Sequence, residues 1–362
     1  MASLIDLSQI VNLVYFASFF LIFFYGQRLQ VQWQLVSVKR SLGKLERSKT
    51  AARQKFVDSI SRFQMDKKAV ETKLDRLNNS FTIAPVSLDP SGIVGKLEHV
   101  IDTYDDHLKT EVKAIAPNAT EADVNTLSNQ LEISIGLDGM FRLVRHFYLL
   151  AKKTGGIMAL AQLQMALPMI MEEAEAYGAA IDAFAKAEPI GDGVGPLVVS
   201  QIVAGRQGNE LIKDTMVYDV DLEGRRVWVV RAKGPGGNVG KPGLVVEKLI
   251  QESGPMSLVI TVDAALKFEG EPSGDVAEGI GAAIGGPGTE RYHIEASASK
   301  NHIPLLAVVV KMSSKEAISG ITPLIKTGVD AAVTRVQNEI RSKSKPGDRI
   351  ILVGVGNTIG VP

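Results

Sequence analysis

The sequence Leu258-Val-Ile-Thr-Val-Asp263 decides the fold of the C-terminal half of the chain. It is a short apolar run, rich in β-branched residues, that ends in a carboxylate. Three further apolar runs lie at residues 227–232, 305–310 and 350–354. Helical patterns separate them, at residues 244–252 and 325–342. Apolar strands that alternate with helices are typical of a parallel sheet covered on both faces. The sequence therefore predicts a three-layer α/β/α domain with a mainly parallel sheet over residues 189–362.

The functional site of such a domain is expected where the strands end, at the carboxyl edge of the sheet. Asp263 lies at such a strand end, and glycine-rich loops follow several of the strands. The loop Gly236-Gly-Asn-Val-Gly240-Lys241 is similar to a phosphate-binding loop. However, Pro235 and Pro242 occupy the positions at which that loop needs a glycine and a serine or threonine. The pattern therefore argues against a nucleotide site of this type.

Several motifs of this half together resemble the bacterial spore germination proteases. They are Pro235-Gly236 with Gly240-Lys-Pro-Gly243, Ile260-Thr-Val-Asp263, Gly285-Gly-Pro-Gly288 and Ile303-Pro304. Those enzymes share a fold with the hydrogenase maturation endopeptidases. The whole chain also resembles an archaeal family of membrane-anchored proteins of unknown function.

Both enzyme groups carry a strand ending in Gly-x-Gly-Asn, followed shortly by an Asp that leads into Gly-Pro and a helix. Here the two pieces occur in the opposite order. Ile190-Gly-Asp192-Gly-Val-Gly-Pro196 opens the domain, and Val353-Gly-Val-Gly356-Asn357 closes it. A circular permutation accounts for this order, since the termini of domains often lie close together. It predicts that Pro362 ends beside Ile190.

The resemblance implies that Asp192 and Asp263 form a catalytic pair. Two neighbouring carboxylates share one proton, so one can activate water while the other holds or donates a proton. Asn357 and backbone amides of the 191–195 loop would then stabilise the developing oxyanion. The predicted binding loops contain Gly191, Gly193, Gly195, Pro235, Gly236, Gly240, Gly286 and Gly288. Each aspartate also has a structural interpretation, as a helix cap at Asp192 and as a strand-end carboxylate bound to backbone amides at Asp263.

The hydrogenase-processing enzymes bind a metal through acidic residues and a histidine. Only His293 and His302 are available in this half, and their spacing matches no ligand motif. The chain has no cysteine, which excludes disulfides, thiolate metal sites and thiol catalysis. We therefore expect no metal and no cofactor.

The middle of the chain is predicted to be helical, as a basic stalk over residues 28–80 and a helical region over residues 81–188. Apolar residues of the stalk follow a heptad spacing at Val31, Leu35, Val38, Leu42 and Leu45. This seam is compatible with a short parallel coiled coil between two copies of the chain. It is equally compatible with a helix that packs on its own domain.

The first 27 residues are predicted to form a transmembrane anchor. Residues 7–27 carry no charge, and about 20 apolar residues suffice to cross a bilayer. Basic residues beginning at Arg28 follow this run, whereas Asp6 is the only charged side chain before it. The positive-inside rule then places the N-terminus outside the cell membrane and the C-terminal domain in the cytoplasm, with the lipid bilayer as a partner.

The charge balance is even, with 40 Lys and Arg against 40 Asp and Glu, and it gives no indication of nucleic-acid binding. The expected function is that of a single-pass membrane protein with a peptidase-like domain that acts on a polypeptide substrate. The alternatives are a non-enzymatic scaffold that forms homo-oligomers through the stalk, and a ligand sensor that uses the glycine loops.

Overall fold

The structure, a computed structural model, describes residues 7–63, 67–80, 82–86, 92–154 and 157–362. The helices are α1 (Leu7–Ser61), α2 (Lys67–Leu77), α3 (Ile93–Ile115), α4 (Glu121–Thr154), α5 (Ile157–Lys186), α6 (Val194–Ile202), α7 (Pro242–Glu252), α8 (Thr289–Lys300), α9 (Ser314–Ala317) and α10 (Pro323–Lys343). A 3-10 turn at Gly191–Gly193 leads into α6. The strands are β1 (Asn209–Ile212), β2 (Thr215–Leu222), β3 (Arg225–Ala232), β4 (Leu258–Leu266), β5 (Val276–Ile280), β6 (Leu305–Met312) and β7 (Arg349–Gly354).

The seven strands form one sheet in the order β1-β2-β3-β7-β4-β6-β5. The central pairs β3–β7, β7–β4 and β4–β6 are parallel, as the four apolar runs predict. The outer pairs β1–β2, β2–β3 and β5–β6 are antiparallel. The prediction of a mainly parallel sheet is therefore wrong, because the sheet is mixed.

The antiparallel strands arise from tight turns, which a pattern of apolar runs does not reveal. Glu223 and Gly224 form the two-residue connection between β2 and β3, with φ angles of 55° and 80°. Positive φ at both central residues is the backbone geometry of a hairpin turn that matches the twist of its strands. β2 also alternates between buried and exposed positions, as in a strand with one face on the core.

Helices cover both faces of the sheet. On one face, Val198 of α6 and Val329 of α10 belong to an apolar cluster with Val262 of β4. On the other face, apolar residues of α7 and α8 form a second cluster, which includes Val246 and Ile294. The C-terminal region thus has three layers, and its central parallel strands are buried on both sides.

The described residues fall into two compact units. One is formed by the described residues within 1–50 and 136–174, and the other by those within 51–135 and 175–362. In the second unit, the end of α1 packs with α2, α3 and the first turns of α4 around Phe56, Leu74 and Val112. This second unit contains both the helical cluster and the complete sheet.

Among the residues that the structure describes, no helix contains a stretch long and apolar enough to cross a membrane. The predicted single-pass anchor at residues 1–27 is therefore wrong, and so is the membrane localisation inferred from it. Residues 1–6 of that segment lie outside the described residues. The uncharged run is interrupted by Asn12 and Ser18, and α1 continues without a break into the basic segment after it. Absence of charge alone is thus a weaker criterion than sustained apolarity.

The heptad seam of α1 faces the interior of the chain. Val38 and Leu45 are fully buried within a single copy of the protein. Ala52 and Phe56 are buried on the continuation of the same stripe. This burial favours the helix that packs on its own chain over the coiled coil between two copies.

Candidate active site

Glycines bring the Gly191–Gly193 turn directly against the carboxyl ends of β4 and β7. A Cβ atom on Gly195 would lie 2.2 Å from the Val355 carbonyl oxygen and 2.4 Å from that of Val262. A Cβ atom on Gly193 would lie 2.8 Å from the Asn357 carbonyl oxygen. Because these neighbours are backbone atoms, only glycine permits this approach. The turn can therefore lie this close to the strand ends only because residues 193 and 195 are glycines.

Gly191 has a similar packing role on the other side of the turn. Its Cβ atom would lie 2.3 Å from the carbonyl oxygen of Glu316, in α9. Gly356 completes the arrangement, with a φ of 126° and a backbone that approaches the carbonyl oxygen of Asp192. Close backbone contacts at Gly191, Gly193, Gly195 and Gly356 thus hold the turn that carries Asp192 in place.

Asp192 accepts a hydrogen bond through Oδ2 from the backbone N–H of Asn357, at 2.8 Å. It is partly exposed and lines an open cleft of about 190 Å³. Burial of the carboxyl raises its pKa, and the Asn357 N–H lowers it by a smaller amount. Asp192 is thus the more exposed residue of the predicted pair.

Asp263 lies at the end of β4 and is only 5 % exposed. Its Oδ1 accepts the N–H of Ala264 at 2.7 Å, and its Oδ2 accepts the N–H of Gly285 at 3.1 Å. Gly285 belongs to the glycine-rich loop that leads into α8. This loop therefore returns over the strand end and covers the carboxyl.

The two aspartates interact electrostatically. Burial, and then the negative charge of Asp192, raise the pKa of Asp263 to about 8. The backbone N–H groups of Ala264 and Gly285 oppose this rise but do not cancel it. At neutral pH Asp263 therefore holds a proton. Asp192 thus lies near enough to Asp263 for its charge to raise the pKa of Asp263, and the catalytic role of the two residues stays a prediction.

Asn357 is placed by its own backbone and by α4. Its Oδ1 accepts the N–H of Ile359 at 2.9 Å, and its Nδ2 makes a long contact of 3.4 Å with Asn129 Oδ1. The residue lines the same cleft as Asp192. Its backbone N–H donates to Asp192, whereas its Nδ2 makes only this long contact within the described residues.

The other predicted binding loops have different surroundings. Gly236 is buried, and a Cβ atom there would lie 2.8 Å from Ala122 of α4. Gly240 has a φ of 64° and packs on Thr215, and Pro235 precedes this packed stretch. The loop is therefore held against the protein at Gly236 and Gly240, and its residues 238–241 line a cleft of about 280 Å³. Gly286 and Gly288 have positive φ angles and open space around them, in the loop over Asp263.

The two ends of the C-terminal domain touch each other. A Cβ atom on Gly360 would lie 2.4 Å from the carbonyl oxygen of Ala187 and 2.8 Å from the nitrogen of Pro189. This contact satisfies the steric requirement of a circular permutation. The resemblance that suggested the permutation stays a prediction.

His293 lies away from the aspartate pair. Its Nδ1 is 2.9 Å from Glu247 Oε2, and its Nε2 is 3.4 Å from Glu98 Oε2. His302 has a positive φ of 54° in the turn that follows α8. Within the described ranges, no three His, Asp or Glu side chains gather into a group that could hold a metal ion.

The helical region also contributes residues to the site, which the sequence-based predictions did not include. Asn129, Glu132 and Ile133 of α4, and Tyr177, Ala180 and Phe184 of α5, line the cleft beside Asp192. A signal for α4 is present in the sequence, since Asn125, Ser128, Asn129 and Glu132 recur at helical spacing beside the apolar residues Leu127, Leu131 and Ile133. Polar residues at core-facing positions indicate a function or a buried network.

Two family models match the chain. The N-terminal domain of the protein of unknown function DUF1512 matches residues 12–187, and the DUF1512 C-terminal domain of unknown function matches residues 190–362. No curated protein and no solved structure matches the chain. The predicted membership of a family of unknown function is confirmed, whereas the archaeal origin and the resemblance to the two protease groups stay predictions.

Proposed function

We propose that this chain, which belongs to the DUF1512 family, is a hydrolase that cleaves amide bonds of polypeptides with Asp192 and Asp263. The observation that carries the proposal is the electrostatic coupling of the two carboxyls, one lining an open cleft and one buried behind it with a pKa near 8. Perturbed carboxyl pairs in clefts are typical of sites for acid–base chemistry. Neither carboxyl has an ion pair with a lysine, arginine or histidine within the described ranges.

The chemistry assigns Asp192 as the general base. Its carboxylate takes a proton from a water molecule in the cleft while the water oxygen attacks the amide carbon. Asn357 Nδ2 stabilises the negative charge that develops on the carbonyl oxygen. When the C–N bond breaks, the proton on Asp192 passes to the leaving nitrogen, so that one water molecule is added in total.

In this scheme Asp263 acts through Asp192. Its proton limits the pair to one negative charge, and burial under the 281–288 loop keeps that proton in place near neutral pH. Ionisation of Asp263 places a second negative charge behind the base. We therefore expect hydrolysis to decline as the pH rises through about 8.

The test is digestion of an unfolded protein, β-casein, followed by mass spectrometry of the products. Asp192→Asn retains an oxygen for the Asn357 N–H but removes the base, so cleavage should fall by about 10³-fold or more. Asp263→Asn keeps the buried group neutral at every pH, so cleavage should persist and its pH profile should no longer decline near pH 8.

The matched control is Asp330→Asn on the exposed face of α10, where the amide oxygen can still accept the bond from Gln201. This variant should cleave at the rate of the unmodified protein. Equal cleavage by the unmodified protein and the Asp192→Asn variant would overturn the proposal, as would a complete lack of cleavage between pH 4 and 8.

A further inference from the structure

The structure assigns Asp105 and Glu132 to a subsite that binds a cationic side chain, lysine or arginine, of a polypeptide substrate beside Asp192. The inference rests on the proposed hydrolase function, because it names a substrate class for the same cleft. It uses residues of α3 and α4 that the pairing of Asp192 with Asp263 does not require.

The position of Glu132 links the subsite to Asp192. Glu132 lines the cleft of about 190 Å³ that contains Asp192 and Asn357. It also lines an adjoining cleft of about 200 Å³, whose walls include Asp105 and, again, Asn357. A chain bound along both clefts would therefore pass Asp192 and place a neighbouring side chain between Asp105 and Glu132.

Most carboxylates near these clefts are neutralised by lysines. Lys109 Nζ lies 3.1 Å from Asp214, and Lys213 Nζ lies 3.0 Å from Asp106. Lys241 forms a short ion pair with Asp102. Lys109, Lys213 and Lys241 thus each pair with a carboxylate other than Asp105 or Glu132.

Asp105 and Glu132 differ from those carboxylates. Within the described residues, neither has a hydrogen bond or an ion pair, although both side chains are exposed to the cleft. Burial by the cleft walls raises the pKa of each carboxyl. The charges of Lys109 and Lys241 oppose this rise at Asp105 without forming an ion pair with it, and the charge of Asp105 raises the pKa of Glu132 further. The repulsion between them is relieved when a cation binds between them.

A second observation indicates a ligand at this place. Ser128 lies one helical turn before Glu132, lines the same cleft and is 7 % exposed. Its hydroxyl oxygen has no hydrogen-bond partner in the described structure. A buried hydroxyl without a partner costs free energy unless a ligand satisfies it. An ammonium or guanidinium group supplies the missing donor, because it carries several N–H bonds and no acceptor.

The chemistry of the site favours an organic cation over a metal ion. The described side chains form no cluster of three ligands, as a metal site needs. Two separate carboxylates, the Ser128 hydroxyl and the neighbouring amides instead suit a group with several divergent donors.

The test compares two peptides that differ only in charge, acetyl-Ala-Ala-Arg-Ala-Ala-amide and the same peptide with citrulline in place of arginine. Binding to the full-length chain is measured by isothermal titration, and cleavage is followed in the same samples. We expect the arginine peptide to bind about tenfold more tightly, in line with one charge-assisted contact in a partly solvated cleft. The difference should shrink as ionic strength rises.

Two variants test the assignment to residues. Glu132→Gln and Asp105→Asn should each reduce the preference for arginine over citrulline, and the double variant should abolish it. Since Asp105 lies on α3 and Glu132 on α4, a folding defect in one variant leaves the other as a test. The matched control is Glu252→Gln at the exposed end of α7, which should keep the full preference.

The outcomes separate this inference from the proposed hydrolase function. Tighter binding of the arginine peptide without cleavage supports the subsite and counts against hydrolysis. Cleavage of both peptides at equal rates with equal affinities overturns the subsite and leaves the hydrolase standing. Equal affinities, including no binding of either peptide at millimolar concentration, also overturn the subsite.

Discussion

Two groups of carboxylates in the larger unit are built on opposite electrostatic principles. Around Lys241, the side chains of Glu98, Asp102 and Glu290 surround one ammonium group, with Nζ–O distances of 3.9 Å to both glutamates. Within the described part of the chain, Asp192 and Asp263 have no such cation, and backbone N–H groups are their hydrogen-bond donors. The first group holds its charges by pairing, whereas the second holds a proton.

The pKa shifts express this difference. Burial alone would lower the pKa of Lys241, but Asp102, Glu290 and Glu98 raise it above its ordinary value. Lys241 therefore stays charged and ties α3 to the loop before α7. Asp263 has only weak compensation, so its pKa rises to about 8. A pair of carboxyls with backbone donors but without a cation is what the hydrolase proposed above requires.

The largest effect is expected when the approach that creates the aspartate pair is blocked. A methyl group in Gly195→Ala would meet two backbone carbonyl oxygens at 2.2 and 2.4 Å, so the Gly191–Gly193 turn must move away from β4 and β7. We expect a loss of about 3–5 kcal/mol in the free energy of unfolding. Urea denaturation measures it, and the pKa of Asp263 should fall toward its ordinary range in whatever folded protein remains.

Gly178→Ala is the matched control for this substitution. Gly178 lies in α5, where a Cβ atom would meet nothing within 4 Å. Alanine should stabilise this helix by about 0.5–1 kcal/mol. If Gly195→Ala were equally well tolerated, the close approach of the turn to the strand ends would not be what positions Asp192.

A smaller effect is expected when the paired group loses its cation. Lys241→Met leaves three carboxylates together without a counter-charge, which should cost about 2–3 kcal/mol at pH 7. Burial already raises the pKa of Glu290, and Lys241 opposes that rise. Without Lys241 the pKa of Glu290 rises further, so the folded variant binds a proton as the pH falls. The loss in unfolding free energy should therefore be smaller at pH 5 than at pH 7.

Lys315→Met provides the comparison for a surface ion pair. Lys315 lies 3.5 Å from Glu175, and both side chains are at least half exposed. Such pairs contribute about 0–1 kcal/mol, so this variant should unfold close to the midpoint of the unmodified protein. Equal losses in the two lysine variants would mean that the group around Lys241 behaves as an ordinary surface network.

The contrast between the two groups was only half predictable from the sequence. The central strands and the strand-end position of Asp263 follow from local apolar runs, because a buried parallel strand is a continuous pattern. β5 and the β1–β2 hairpin were not predicted, because their signals lie in turn residues and in alternation. Short apolar runs do not capture either signal. The erroneous anchor has the same origin, since a run without charges was treated as a fully apolar one.

The clefts could not be predicted from the sequence, for a different reason. Asp105 lies 27 positions before Glu132, and Asp192 lies 60 positions after it. No local pattern links them, and only the packing of α3 and α4 against the loops of the sheet brings them to one surface. The polar stripe on α4 indicated that something other than apolar packing occurs there, but not its partner.

The smallest expected effect concerns the proton that the aspartate pair holds. An unfolded chain releases the Asp263 proton near its ordinary pKa of 3.8, whereas the folded protein holds it up to about 8. The proton bound to the folded state stabilises it fully below pH 3.8, and this contribution is lost progressively as the pH rises to 8. Asp192→Asn removes a charge that sustains the raised pKa. The variant should therefore lose less stability with rising pH and exceed the unmodified protein by about 1–2 kcal/mol at pH 8.

Urea denaturation at pH 4, 6 and 8 measures this difference, and a carbon-13 titration of the Asp263 carboxyl should give a midpoint below 8 in the variant. The advantage of the variant should nearly vanish at pH 4, where Asp263 is protonated in the folded state of either protein. Asp330→Asn should leave the pH dependence unchanged, because its carboxyl is exposed on α10. Parallel stability curves for the unmodified protein and Asp192→Asn would show that Asp263 is governed by burial alone, and the two aspartates would then not act as a pair.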